Sequence, residues 1–197
     1  MRLVETTAIQ SWDLPVSQFR AHLRLGTGFS EDDLQDAVLD SCLRAAILAI
    51  EGRTGKVLLQ RGFKWSSDHW HTGHEQPLPV APVMEITAVK LITRAGDEAV
   101  VDPSFYVLVP DTHRPLMRAA HAVLPRIPVS GRAEIGFEAG YSADWDGVPN
   151  DLSHAVLLLA AQFYESRITG EPGCDTSVVS HLIERYRTVR ILGGASR

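Results

Sequence analysis

Apolar residues recur at helical spacing early in the chain, at alternate positions through its middle, and at helical spacing again near its end. Pro15 suits the first turn of a helix, where its missing N–H would have no intrahelical partner, and Val16, Phe19, Leu23 and Leu25 then give a short apolar face. Gly26-Thr27-Gly28 breaks that face. Ser30 precedes Glu31, Asp32 and Asp33, so a hydroxyl can cap a free N–H while three carboxylates meet the positive end of a helix dipole. From there Leu34, Val38, Cys42, Ala45/Ala46 and Ala49 predict a second, longer helix, with Gln35, Asp36, Asp40 and Arg44 largely elsewhere on it. Glu51 closes the pattern, and Gly52 and Gly55 supply the stop.

The period then changes to two. Val57, Leu59, Phe63 and Trp65 alternate with Gln60 and Lys64 and predict a strand. A polar tip follows, containing His69, Trp70, His71 and His74, and Pro77, Pro79 and Pro82 impose an extended path. Residues 86–93, 105–109 and 132–139 are further strand candidates, with a turn over 95–98. The last of them alternates cleanly, with Ala133, Ile135, Phe137 and Ala139 on one side and Arg132, Glu134 and Glu138 on the other.

Pro149 opens a third helix whose centre, residues 155–161, is apolar on every face. Such a helix is buried all round or has a partner beyond its own core. Gly170-Glu171-Pro172-Gly173 ends it, and a last helix over about 175–190 carries Val178, Val179, Leu182, Ile183, Tyr186 and Val189 on one stripe. Residues 193–197 read as a flexible end. The prediction is an α+β fold: a small bundle of about four helices with a β-rich insertion between the second and third long ones. N-terminal helices span 1–55, the insertion 56–147, and C-terminal helices and tail 148–197, with the two helical parts packing as one domain.

Composition adds constraints. At 197 residues the chain can bury a substantial core, and a net charge of −5 argues against a surface built to grip nucleic acid. Cys42 and Cys174 do not make a disulfide framework. Residues 1–5 lack the apolar core of a signal peptide, and 155–161 is far short of the roughly 20 residues that cross a bilayer, so synthesis in the cytoplasm without a membrane partner is expected.

Candidate chemistry is sparse. His69, His71 and His74 are the best metal candidates, since imidazole is a favoured zinc ligand, yet neither cysteine is near and a fourth ligand is hard to place. A solvated loop is the preferred reading, with a metal-dependent enzyme built on those histidines as a lesser alternative. Gly26-Thr27-Gly28 has no preceding strand and no following Lys-Ser/Thr, so it matches no phosphate-binding fingerprint. No nucleophile elbow occurs, and neither catalytic residues nor a cofactor are expected. Arg185, Arg187, Arg190 and Arg197 make the end locally basic. They either complement the helix dipole or form a docking element for an acidic partner or for DNA, which leaves a small DNA-binding or regulatory module as an alternative. Trp65, Trp70, Phe105 and Tyr106 are possible interface anchors or core residues.

Several junctions, taken in order, resemble one family. Phe19-Arg20-Ala21-His22-Leu23-Arg24, Glu51-Gly52-Arg53-Thr54-Gly55, Leu78-Pro79-Val80-Ala81-Pro82-Val83 and Tyr106-Val107-Leu108 come first. Ala139-Gly140-Tyr141 with Val148-Pro149, then Phe163-Tyr164-Glu165 with Arg167, then Tyr186-Arg187 with Arg190, complete the set. Over residues 12–191 this order and spacing are similar to the head-tail connector (adaptor) proteins of tailed phages and gene transfer agents.

The resemblance implies a non-enzymatic particle component. Such adaptors form a ring, expected to be twelve-fold, under the portal protein, and extend the DNA channel toward the tail. By that likeness Val178, Leu182, Ile183, Tyr186, Arg187 and Arg190 would dock on the portal, and the insertion would face the next neck or tail-side protein. Leu157, Phe163 and Tyr164 would pack between copies. DNA would pass through without sequence-specific binding, since carboxylates lining a duct repel phosphate.

Overall fold

The second helix ends in a short, densely bonded corner, and that corner fixes how the rest of the chain is arranged. The computed structural model describes residues 1–25, 32–169 and 177–187. Helix α1 spans Val16–His22 and α2 Asp32–Thr54; α3 spans Asn150–Thr169 and α4 Ser177–Ile183. At the end of α2 the Thr54 hydroxyl donates to the Ile50 carbonyl and accepts from the Lys56 amide, while Gly55 turns the chain at φ +68°, a left-handed conformation that favours glycine.

Three stretches far apart in sequence meet there. The Val57 amide donates to the Ala81 carbonyl, the Gly140 amide to Pro82, and the Tyr141 amide to Leu58. Gly140, at φ +145°, lies so close to Gln60 that a Cβ would sit 2.4 Å from its Cα. Glycine is therefore required at that crossing. These are the Thr-Gly, proline-spaced and Ala-Gly-Tyr junctions noted in the sequence, and their common role is this seam.

Beyond the seam lie two antiparallel sheets. Strands β1 (Arg2–Glu5), β2 (Arg61–Ser67), β4 (Val83–Ile92), β5 (Glu98–Val100) and β8 (Arg132–Ala139) form one, ordered β1-β2-β8-β4-β5. Strands β3 (Glu75–Pro77), β6 (Tyr106–Val109) and β7 (Leu116–Ala119) form the other, ordered β3-β7-β6. Phe63, Trp65, Ile135 and Phe137 of the large sheet share a core with Tyr106, Met117 and Ala119 of the small one, and Phe63 stacks on Phe137 at 5.7 Å between ring centroids. The opposite face of the large sheet carries the ion pairs Lys64–Glu134 and Lys90–Glu98.

The helices share a second core. Phe19 of α1, Leu39, Leu43, Ile47 and Ile50 of α2, Leu152, Val156 and Leu159 of α3, and Val179 and Ile183 of α4 are all buried in it. Gln35, near the start of α2, donates to the hydroxyl of Tyr164, near the end of α3, so these helices run antiparallel. Ordering α+β elements this way matches the sequence expectation.

Several details differ from it. The buried stripe of α2 is Leu39, Leu43, Ala46, Ile47 and Ile50 rather than Val38, Cys42, Ala45 and Ala49, and Ala45 is exposed. α2 is apolar around most of its circumference, so burial goes to the large leucines and isoleucines, which gain most from leaving water. Asp36, Asp40 and Arg44, expected largely elsewhere on the helix from its apolar stripe, are paired within the subunit, as is Glu51: Arg20 with Asp36, Arg44 with Asp40, and Arg61 with Glu51. Residues 1–13, polar in the sequence, contribute β1, and β3 and β7 were also unforeseen. The last helix is shorter than 175–190: α4 ends at Ile183 and a 3-10 turn over Glu184–Tyr186 follows. Gly26-Thr27-Gly28, the Ser30 cap, Gly170-Glu171-Pro172-Gly173, Cys174, Val189, Arg190 and Arg197 lie outside the described residues.

Candidate interaction surfaces

The C-terminal element is held to the body by a polar clasp. The Tyr186 hydroxyl donates to Asp151 Oδ1 at 2.7 Å and accepts from Arg185 Nη2 at 2.7 Å. Arg185 Nε lies 3.1 Å from Asp151 Oδ2, and its guanidinium sits over the Tyr186 ring at 4.8 Å. Tyr141 meets Tyr186 edge to face. Burial, with the neighbouring Tyr186 and Asp151, pushes the Tyr141 hydroxyl up to about 12, and burial and the Asp151 bond raise Tyr186 as well. Both phenols stay protonated at neutral pH, and Tyr186 serves as a donor. Tyr186→Phe removes the bond to a charged acceptor and should lower stability by about 1.5–3 kcal/mol in urea unfolding. A loss near zero would mean that the hydroxyl bond adds nothing to the fold.

This clasp bears on the residues proposed for docking. Ile183 and Tyr186 are buried in the subunit's own helical core, and Leu182 is half-buried against it. Val178 is 54% exposed, and Arg187 is exposed and paired with Glu184. Arg185, counted with the basic cluster in the sequence, is committed to Asp151. The Asp151 clasp escaped sequence reasoning because it joins residues 35 positions apart in the chain.

On α3, Leu152, Ala155, Val156, Leu159 and Ala160 face the core, while Leu157, Phe163 and Tyr164 are half-buried beside Leu158 and Ala161. Of the aromatic candidates, Trp65 and Tyr106 are core residues, Trp70 is half-buried with its indole N–H on the Pro125 carbonyl, and Phe105 is exposed. Trp12, in a 3-10 turn over Ser11–Asp13, is 82% exposed. The residues on either side of it are fixed: Arg44 donates to the Ile9 carbonyl and the Ser11 hydroxyl, and Leu14 is buried.

His69, His71 and His74 lie in exposed turns, His69 against Asp68 and His74 against the Ala122 carbonyl. Among the described residues no group of three or more His, Cys, Asp or Glu lies close enough to hold a metal ion. Burial raises the Cys42 thiol above its ordinary value, which suits packing rather than reactivity. No helix among the described residues is long and apolar enough to cross a membrane.

Neither a protein-family model nor a curated protein matches the chain. Solved structures do. A chain in the neck of an empty gene transfer agent (GTA) particle, computed with C6 symmetry, is 52% identical with a TM-score of 0.91, covering 100% of both chains. A chain of the virion of a native GTA particle is 52% identical with a TM-score of 0.87 over 98% of this chain and 99% of that one. A third, in the neck of a native GTA particle computed with C12 symmetry, is 48% identical with a TM-score of 0.86 over 100% of both. Full-length likeness at such identity, on a fold whose seam is built from the junction motifs, shows that the chain belongs to the head-tail connector family of structural neck proteins found in tailed phages and gene transfer agents.

Proposed function

We propose that this chain is an adaptor subunit, twelve copies of which form a ring beneath the portal, carry the DNA channel onward and present the β insertion to the next neck or tail-side protein. The observation that carries this reading is the full-length match to a neck chain in a particle computed with C12 symmetry. The subunit works by fit, with no bond made or broken. Its acidic balance suits a duct that DNA passes without sticking, because lumen-facing carboxylates repel phosphate.

Portal docking falls to the C-terminal element and the residues after it. Val178, Leu182 and Arg187 supply described contact surface, while Ile183 and Tyr186 hold the element in place; Arg190 continues the basic run beyond the described residues. Leu157, Phe163 and Tyr164 are proposed as subunit contacts on α3. The test is co-assembly of the full chain with its portal protein, with and without residues 178–197. The intact chain should co-sediment with portal rings and the truncated chain should not. Equal incorporation of both would place the docking surface elsewhere.

A further inference from the structure

The open side of α2 is unlike a helix face made for water. Asp36, Asp40, Arg44 and Glu51 are bonded inside the subunit, and Arg53 is exposed in the last turn. Ahead of that turn the exposed positions Ala37, Ser41, Ala45 and Leu48 carry no charge. A solvent face normally holds the charged residues and buries the rest. Leu48 is 59% exposed, and it lies one turn beyond Arg44, the residue that grips Ser11 beside the 82% exposed Trp12. A rigidly presented tryptophan next to an uncharged helix face has the composition of an interface centre.

The open side of α3 has the complementary form. Leu157, Leu158 and Ala161 make a half-exposed apolar ridge. Because α2 and α3 pack through Leu39, Leu43 and Ile47 against Leu152, Val156 and Leu159, their open sides look in opposite directions from one helical layer. A two-fold dimer would use one face against itself. A closed ring instead needs two different faces on opposite sides of each subunit.

We infer that these two faces are the halves of one subunit–subunit contact, the α3 ridge of one copy seated on the Trp12–Leu48 face of α2 in the next. Small side chains at Ala37, Ser41 and Ala45 let the incoming leucines approach the α2 backbone closely, and Trp12 closes the edge of the contact. The inference rests on the ring reading above and names the surfaces that close the ring.

Cross-linking on the portal-assembled complex tests it. In a chain with Cys42→Ala and Cys174→Ser, the pair Leu48→Cys and Ala161→Cys should give, on oxidation, a ladder of covalent multimers in denaturing gels. Each single cysteine should fail to extend beyond a dimer. Residues 48 and 161 lie on opposite sides of one subunit, so a bond between them reports neighbouring copies. Leu48→Asp provides the second measure: it should melt like the parent, since Leu48 is largely exposed, yet cut ring occupancy on the portal at least tenfold. Rings that form normally with Leu48→Asp, or that leave the double-cysteine chain unlinked, would overturn this contact while leaving the ring intact. A parent chain that never closes a ring on the portal would overturn both readings.

Discussion

Replacing Arg61 by alanine should cost the fold about 3–5 kcal/mol, among the largest effects of any single change in the molecule. The Arg61 side chain is 4% exposed at the start of β2. Its Nη1 and Nη2 donate to the two carboxylate oxygens of Glu51 at 3.0 and 2.7 Å, and its Nε lies 3.1 Å from Glu5 of β1. Glu51 in turn accepts from the Leu58 amide at 2.8 Å. One guanidinium thus ties the end of α2, the seam and the adjacent strands β1 and β2 of the large sheet. Alanine would leave the Glu51 carboxylate buried without a cation, and the cost is that of the stranded charge more than of the lost pair. Urea unfolding measures it. Pairing Arg61→Met with Glu51→Gln removes both charges while keeping an acceptor for Leu58, so the double variant should recover part of the loss. A decrease below about 1 kcal/mol for the alanine variant would show that this joint does not hold the fold.

Among the described residues a second buried cation, Lys56, predicts the opposite sign. Lys56 is 1% exposed, its Nζ has no hydrogen-bond partner, and burial holds its pKa below the ordinary 10.5. Lys56→Met, close in volume and without the ammonium, should raise stability by about 1–3 kcal/mol at neutral pH. The pH dependence has a defined direction. Between the lowered folded value and 10.5 the unfolded chain binds more protons at this site than the folded one, so stability from Lys56 rises with pH across that window. The advantage of methionine is therefore full below the folded value and shrinks toward pH 10.5. Tyr141, raised to about 12, acts in the other sense above pH 10, which is why the difference between parent and variant is the quantity to follow. An equal or lower urea midpoint for Lys56→Met at pH 7 would mean that the ammonium is accommodated where it lies.

These two residues also mark what sequence alone conveys. Helices α1, α2 and α3, strands β2, β4, β6 and β8, and the order of junctions were legible, because each carries a long period or a glycine or proline whose backbone role is local. The Arg61–Glu51 joint was not, since nothing in a string of residues says which carboxylate a strand arginine will meet. Strands β1, β3 and β7 are short, and β1 is exposed at every position; backbone pairing with neighbours places them, not a hydrophobic pattern. The α2 stripe was misplaced by one helical flank because the helix has apolar residues on nearly all sides, so size decided burial where period could not. The same error hid the uncharged outer face. For the C-terminal element, the stripe through Val178, Leu182, Ile183 and Tyr186 was visible, but the Asp151 clasp that turns part of it inward was not.

The central claim is that copies of this chain close into a ring on a portal. Counting copies in the purified chain–portal complex, by native mass spectrometry or by electron cryo-microscopy without imposed symmetry, tests it most directly. Twelve copies per portal ring, each with α4 on the portal side, is the predicted result. A chain that stays free of the portal, or binds it as scattered single copies at saturating concentration, would contradict the account.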